Sequence, residues 1–105
     1  MQRTIKLDEQ DVRVEMSADT LRVYRQEYGR DLLLDIMAMQ EQLDMEVIEN
    51  LFYIAAKAAD PEIPDINTWL SRFSLFALYR GGKELMAMWR EENKTLTQRK
   101  KKVDQ

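Results

Sequence analysis

The chain contains no cysteine and no histidine among its 105 residues. Without cysteine there is no disulfide, no thiolate nucleophile and no cysteine-based zinc site. Without histidine there is no imidazole base, no Ser-His-Asp triad and no histidine metal ligand. An enzyme of this composition would work through carboxylates, Lys, Tyr or Ser alone; no catalytic residue, cofactor or metal is expected. Glycine and proline are scarce, at 3 and 2. No run approaches the ~18 apolar residues that mark a membrane span. The opening Met1-Gln2-Arg3-Thr4-Ile5-Lys6-Leu7 has no apolar stretch of the secretory kind, so a cytoplasmic location is expected.

What is present fits one small soluble domain. Hydrophobic residues make up 45% of the chain and charged ones 33%, and a chain of this length buries roughly two thirds of its unfolded surface. The net charge is −3, unevenly spread. Lys94, Arg99, Lys100, Lys101 and Lys102 face a single acid, Asp104, in the last twelve residues; with 16 basic and 19 acidic residues in all, residues 1–93 carry 11 and 18, a net −7. Such an acidic body is a poor surface for phosphate, and no nucleic-acid partner is expected. Three adjacent lysines give a weak, salt-sensitive attraction, so the ordinary reading of 94–105 is a solvated, disordered basic tail.

Thr4–Leu7 and Val12–Met16 alternate apolar with polar residues across the turn material Asp8-Glu9-Gln10-Asp11. That pattern predicts a β-hairpin over 3–16 with Ile5, Leu7, Val12, Val14 and Met16 on one face, packed on helices because a lone hairpin is marginal in water. Ser17 caps a first helix over 18–28, Gly29 closes it in the left-handed conformation, and Asp31 opens a second over 32–42. Leu32, Ile36, Met39 and Leu43 line its stripe. Asp44 caps a third helix, 45–59, apolar on more than half its circumference and therefore central. Asp60-Pro61-Glu62-Ile63-Pro64 breaks the pattern; Asp65 and Ser74 then start helices over 66–73 and 75–93. Gly81-Gly82 either kinks or splits the last one. The expected fold is mainly α: a small bundle of about five helices with an N-terminal hairpin, one domain over 1–93.

Acidic pairs do not rise above ordinary helix chemistry. Asp31 and Asp35 stand four apart, and a cap plus a solvent-facing acid explains them better than a metal. Helix-turn-helix DNA binding fits poorly, because the helix after the corner opens Asp31-Leu32-Leu33-Leu34-Asp35 instead of presenting Arg, Lys, Asn or Gln to bases. Seven methionines are many for this length. Met37 with Met39, and Met86 with Met88, sit two apart, so neither pair shares one core spot on a helix. Flexible thioethers suit an adaptable docking surface, although core gap-filling is the ordinary alternative. The candidate partner-binding residues are Met37, Met39, Met86, Met88 and Trp89; Trp69, Phe73, Phe76 and Trp89 itself are by the ordinary reading expected in the core.

Tyr24-Arg25-Gln26-Glu27-Tyr28-Gly29-Arg30-Asp31-Leu32 resembles the YR-x-x-[FY]-G-[RK]-D-[IL] signature of the tail assembly chaperones of long-tailed bacteriophages and prophages, of the type found in Gram-positive hosts. Ala56-Lys57-Ala58-Ala59-Asp60-Pro61-Glu62-Ile63-Pro64 is similar to that family's AK-x-A-D-P-x-[IV]-P segment, and Trp69-Leu70-Ser71-Arg72-Phe73 to its WL-x-x-F helix. Leu85-Met86-Ala87-Met88-Trp89 followed by a basic tail resembles its end. The ordered set spans about Val12 to Lys102; Arg80-Gly81-Gly82 departs from it.

The resemblance implies a non-catalytic protein of the bacterial host cytoplasm, absent from the mature virion. It would bind the tape measure protein and keep it soluble and extended until the tail tube polymerises around it. It also implies self-association into a homo-oligomer and a longer form, made by programmed frameshifting, that recruits tail tube protein. An A-rich slippery run encoding Lys100-Lys101-Lys102 would fit that frameshift. No membrane partner is implied, and the family supplies no residue-level binding motif. The alternative is a small non-catalytic helical adaptor or regulator from a phage or mobile element, with a carboxylate-dependent enzyme third.

Overall fold

A single apolar helix, Met45–Ala59 (α3), is the element against which most of the others pack. The computed structural model describes the backbone of residues 1–103 and the side chains of residues 1–91. Around α3 stand a hairpin of β1 (Gln2–Leu7) and β2 (Gln10–Glu15), then α1 (Ala18–Tyr28), α2 (Leu32–Ala38), α4 (Ile66–Leu70) and α5 (Leu75–Val103). The fold is mainly α, with five helices and an antiparallel two-stranded hairpin among the described residues.

The hairpin forms because its apolar residues alternate. Ile5 pairs with Val12 and Arg3 with Val14, which puts Ile5, Leu7, Val12 and Val14 on the face laid against α3 and α5. The turn is tighter than expected: only Asp8 and Glu9 loop out, with Asp8 at φ 55°. Asp8 then serves a second purpose. Its carboxylate accepts from the Ser74 backbone N–H and hydroxyl, both at 2.9 Å, while the Ser74 Oγ accepts from the Ala77 N–H at 3.1 Å. The hairpin tip is thereby tied to the cap of α5, and these bonds from Ser74 hold the Asp8 carboxyl below its usual range.

Caps set where the helices begin. Ser17 forms a reciprocal box with Thr20, and Asp31, Asp44 and Asp65 each accept from backbone N–H groups of the turn they open. Helix ends depart further from expectation. α2 stops at Ala38, not 42, because Gln40 and Glu41 donate three residues back, to Met37 and Ala38, and tighten the chain out of α geometry. α4 stops at Leu70, not 73; the Ser71 hydroxyl donates to the Thr68 carbonyl at 2.6 Å and competes with the helix ladder.

Gly81-Gly82 does not split α5, which runs unbroken through the pair. Both glycines lie buried against the rest of the fold. A Cβ on Gly81 would overlap Leu7 Cδ2 and stand 2.8 Å from Phe52 Cε2, and one on Gly82 would stand 2.6 Å from Ile48 Cγ2. The pair is therefore where α5 presses its backbone onto α3 and β1. The backbone of α5 continues past the expected end at 93 to Val103. The expected boundary at 94 thus falls within the helix backbone; the side chains of the basic tail lie outside the described residues.

Candidate partner-binding groove

The turn from α1 to α2 is built from three polar side chains. Gly29 closes α1 at φ 65°, and the chain reverses so that Tyr24 on α1 and Arg30 in the corner converge on Asp35 of α2. Asp35 Oδ2 accepts from the Tyr24 hydroxyl at 2.8 Å and from Arg30 Nε at 2.9 Å; Oδ1 accepts from Arg30 Nη2 at 2.7 Å. The expectation of a solvent-facing acid at 35 is thus corrected: the residue is 7% exposed. It sits one turn after Leu32 on the inner face of α2, where burial demands partners and the corner supplies them. The fork from Arg30 is the main reason the Asp35 carboxyl lies below its usual range, with the Tyr24 bond helping against desolvation. Burial, then the bond to Asp35, pushes the Tyr24 phenol up.

This lock positions α2 against α1, its main packing partner among the described residues. The rest of its surface is apolar and faces out. Leu34 and Met37 are each 63% exposed, with Leu33 and Leu43 also exposed. Across from them runs the outer face of α5. Between the two lies a groove of about 670 Å³. Leu33, Ile36, Met37, Met39 and Leu43 form one wall; Tyr79, Lys83, Met86, Trp89 and Arg90 form the other, with Ile48 and Gly82 between them. Two cations line the groove and, among the described residues, no carboxylate does. Lys83 Nζ stands 4.8 Å from the centre of the Tyr79 ring, so its charge rests over an aromatic face.

Four of the five residues proposed from sequence, Met37, Met39, Met86 and Trp89, meet in this groove. Met88 does not. It is fully buried in the core with Leu85, because the glycine contact turns that side of α5 toward α3 and the hairpin. Among the aromatics expected inside, Trp69 is buried, Trp89 is buried in the core with only its edge reaching the groove, and Phe73 packs against the core, but Phe76 is 75% exposed. Sequence reasoning missed Leu33, Tyr79, Lys83 and Arg90. The signal for Leu33 was present: Leu32, Leu33 and Leu34 sweep about 200° of a helix, so they cannot all point inward.

A second, smaller cavity of about 420 Å³ lies between α1 and α3, lined by Val23, Tyr28, Tyr53 and Ile54 with Glu15, Asp19, Glu27 and Lys57 at its edges. No group of three or more potential metal-ligating side chains exists among the described residues. No helix among those residues is long and apolar enough to cross a membrane. No family model, curated relative or solved structure matches the chain.

Proposed function

We propose that this chain, a small helical bundle around α3, is a phage tail assembly chaperone that binds the tape measure protein and keeps its helices soluble and extended until the tail tube encloses them. The observation that carries the reading is the groove between α2 and α5, walled by exposed Leu33, Met37 and Leu43, beside the very corner whose Tyr24–Leu32 sequence resembles that family. An unassembled tape measure protein presents long apolar helical stripes, which aggregate. A groove of this length covers one stretch by receiving a helix along its axis. Many copies side by side cover the whole, with weak single contacts summed by avidity. Self-association along the tape measure protein, recruitment of tube protein by a longer frameshifted form, and action in the host cytoplasm without incorporation into the virion belong to the same proposal, as does the absence of catalysis.

Co-expression tests it. A helical fragment of the tape measure protein encoded beside this gene is expected to move from the insoluble to the soluble fraction several-fold when the chain is present. A fragment that stays equally insoluble with and without it overturns the reading.

A further inference from the structure

The wall that α5 contributes has a spacing of its own. Tyr79, Lys83, Met86 and Arg90 of that wall follow one another by four, three and four residues, and the exposed Phe76, outside the groove itself, extends the row three residues before Tyr79. That is the 3-4 alternation by which one helix presents a seam to another. The seam spans about 21 Å at 1.5 Å per residue, close to four helical turns. It is turned away from the core face that carries Ala77, Leu78, Leu85 and Met88. Phe76, Lys83 and Arg90 are exposed, and Tyr79 and Met86 partly so. Within residues 1–93, whose net charge is −7, this stripe and the facing wall of α2 expose two cations and no carboxylate.

We propose that the groove selects, among apolar helices, an amphipathic helix of about four turns with an acidic edge, laid along α5 so that its carboxylates meet Lys83 and Arg90 and its apolar stripe lies against Met37, Met86 and Leu33. The inference rests on the chaperone reading for the identity of the partner, but only on the geometry of the groove for its chemistry. The charges decide which stretch of a long helical partner is gripped and in which direction it lies. The apolar wall supplies the contact itself. Exposed ion pairs are weak one at a time, so selection comes from attraction in the acidic partner set against repulsion in a basic one.

The test uses three synthetic peptides of about eighteen residues with one apolar stripe at helical spacing, flanked by Glu, by Gln or by Lys. Titrated against the full chain at low salt and followed by anisotropy, the Glu peptide is expected to bind about tenfold tighter than its Lys twin, with Gln between them. The ratio is expected to shrink toward one at 0.5 M salt, through screening, and to invert in the double variant Lys83→Glu, Arg90→Glu. Met37→Glu, on an exposed wall position, is expected to abolish binding of all three. Equal affinities for the three peptides overturn the charge selection while leaving helix docking intact. Binding that survives Met37→Glu, or no binding at all, overturns the groove as the site. Sedimentation showing a wild-type dimer that Met37→Glu dissociates assigns the groove to a second copy and overturns the proposal. The co-expression experiment answers separately, since a solubilised tape measure fragment with indifferent peptides leaves the function standing and removes only the acidic edge.

Discussion

The hairpin and α2 carry five large apolar side chains each and treat them in opposite ways. Of Ile5, Leu7, Val12, Val14 and Met16, four have no exposure at all. Of Leu32, Leu33, Leu34, Ile36 and Met37, only Leu32 is buried. Strand alternation sends every second side chain to one face, so the hairpin turns all five toward α3. Three consecutive leucines on a helix do the reverse, and some must face water whichever way the helix rotates. The difference extends to what holds each element. The hairpin is held by burial, by the Asp8–Ser74 tie and by the Gly81 contact. α2, seven residues long and too short to persist alone, is held by the Asp31 cap and the lock on Asp35. Apolar energy builds one region. In the other, polar bonds hold a helix whose large apolar side chains mostly face outward.

The sharpest way to break this contrast is at the contact where hairpin, α3 and α5 meet. Gly81→Val places three carbons where even one would overlap Leu7 and approach Phe52, both fully buried. Replacing glycine inside a helix gains at most about 1 kcal/mol of propensity, less for a β-branched residue. Overpacking costs about 1–3 kcal/mol, occasionally more. The clash wins, and a net loss of about 1–2 kcal/mol is expected, read as a fall in Tm of at least about 4 °C by circular dichroism. A variant as stable as the wild type would mean that α5 is not pressed onto the body there.

How much of this was legible in the sequence follows the range of each signal. Ser17, Gly29, Asp31, Asp44 and Asp65 act on backbone groups within a few residues, so helix starts and the corner could be read directly. Gly81-Gly82 could not. Locally the pair suggests a kink or a break, and only the approach of Leu7, more than seventy residues away, explains it as a packing surface. Asp35 failed for the same reason: its partners lie five and eleven residues back and converge only once the corner has folded. The methionine spacing indicated that at least one of each pair lies near the surface, and of Met86 and Met88 it is Met86 that stays partly exposed while Met88 is buried. Which member goes in depends on the rotation of α5, which the distant glycine contact fixes.

The lock on Asp35 supplies the second, intermediate prediction. Asp35→Ala leaves the buried Tyr24 hydroxyl without its acceptor, at about 1–3 kcal/mol. The Arg30 leg adds little, because that side chain is 60% exposed and water screens the pair. The sign of the pH dependence follows from the lowered carboxyl. Asp35 contributes its full stability above its unfolded value, about pH 4, and loses it as pH falls through the lower folded value. Urea midpoints measured from pH 6 down to pH 2 should therefore fall less steeply for Asp35→Asn than for the wild type. Parallel curves would show that the carboxylate is not engaged in solution, and α2 would then need some other anchor.

The smallest expected effect is the most telling for the division between the two regions. Met37 stands on α2 with 63% of its surface in water, so Met37→Gln removes almost no buried apolar area and should shift stability by less than about 0.5 kcal/mol. The same exchange at Met88, fully buried in the core, forfeits a packed side chain and strands an amide without partners. Unfolding curves for the two variants side by side should separate widely, Met37→Gln overlaying the wild type. If Met37→Gln instead costs more than about 1 kcal/mol, then α2 is stabilised by its outward apolar face as well as by its polar lock. A second copy or a closed form of the groove would have to be covering that face in the free protein, and exposed apolar surface held ready for a partner would no longer describe it.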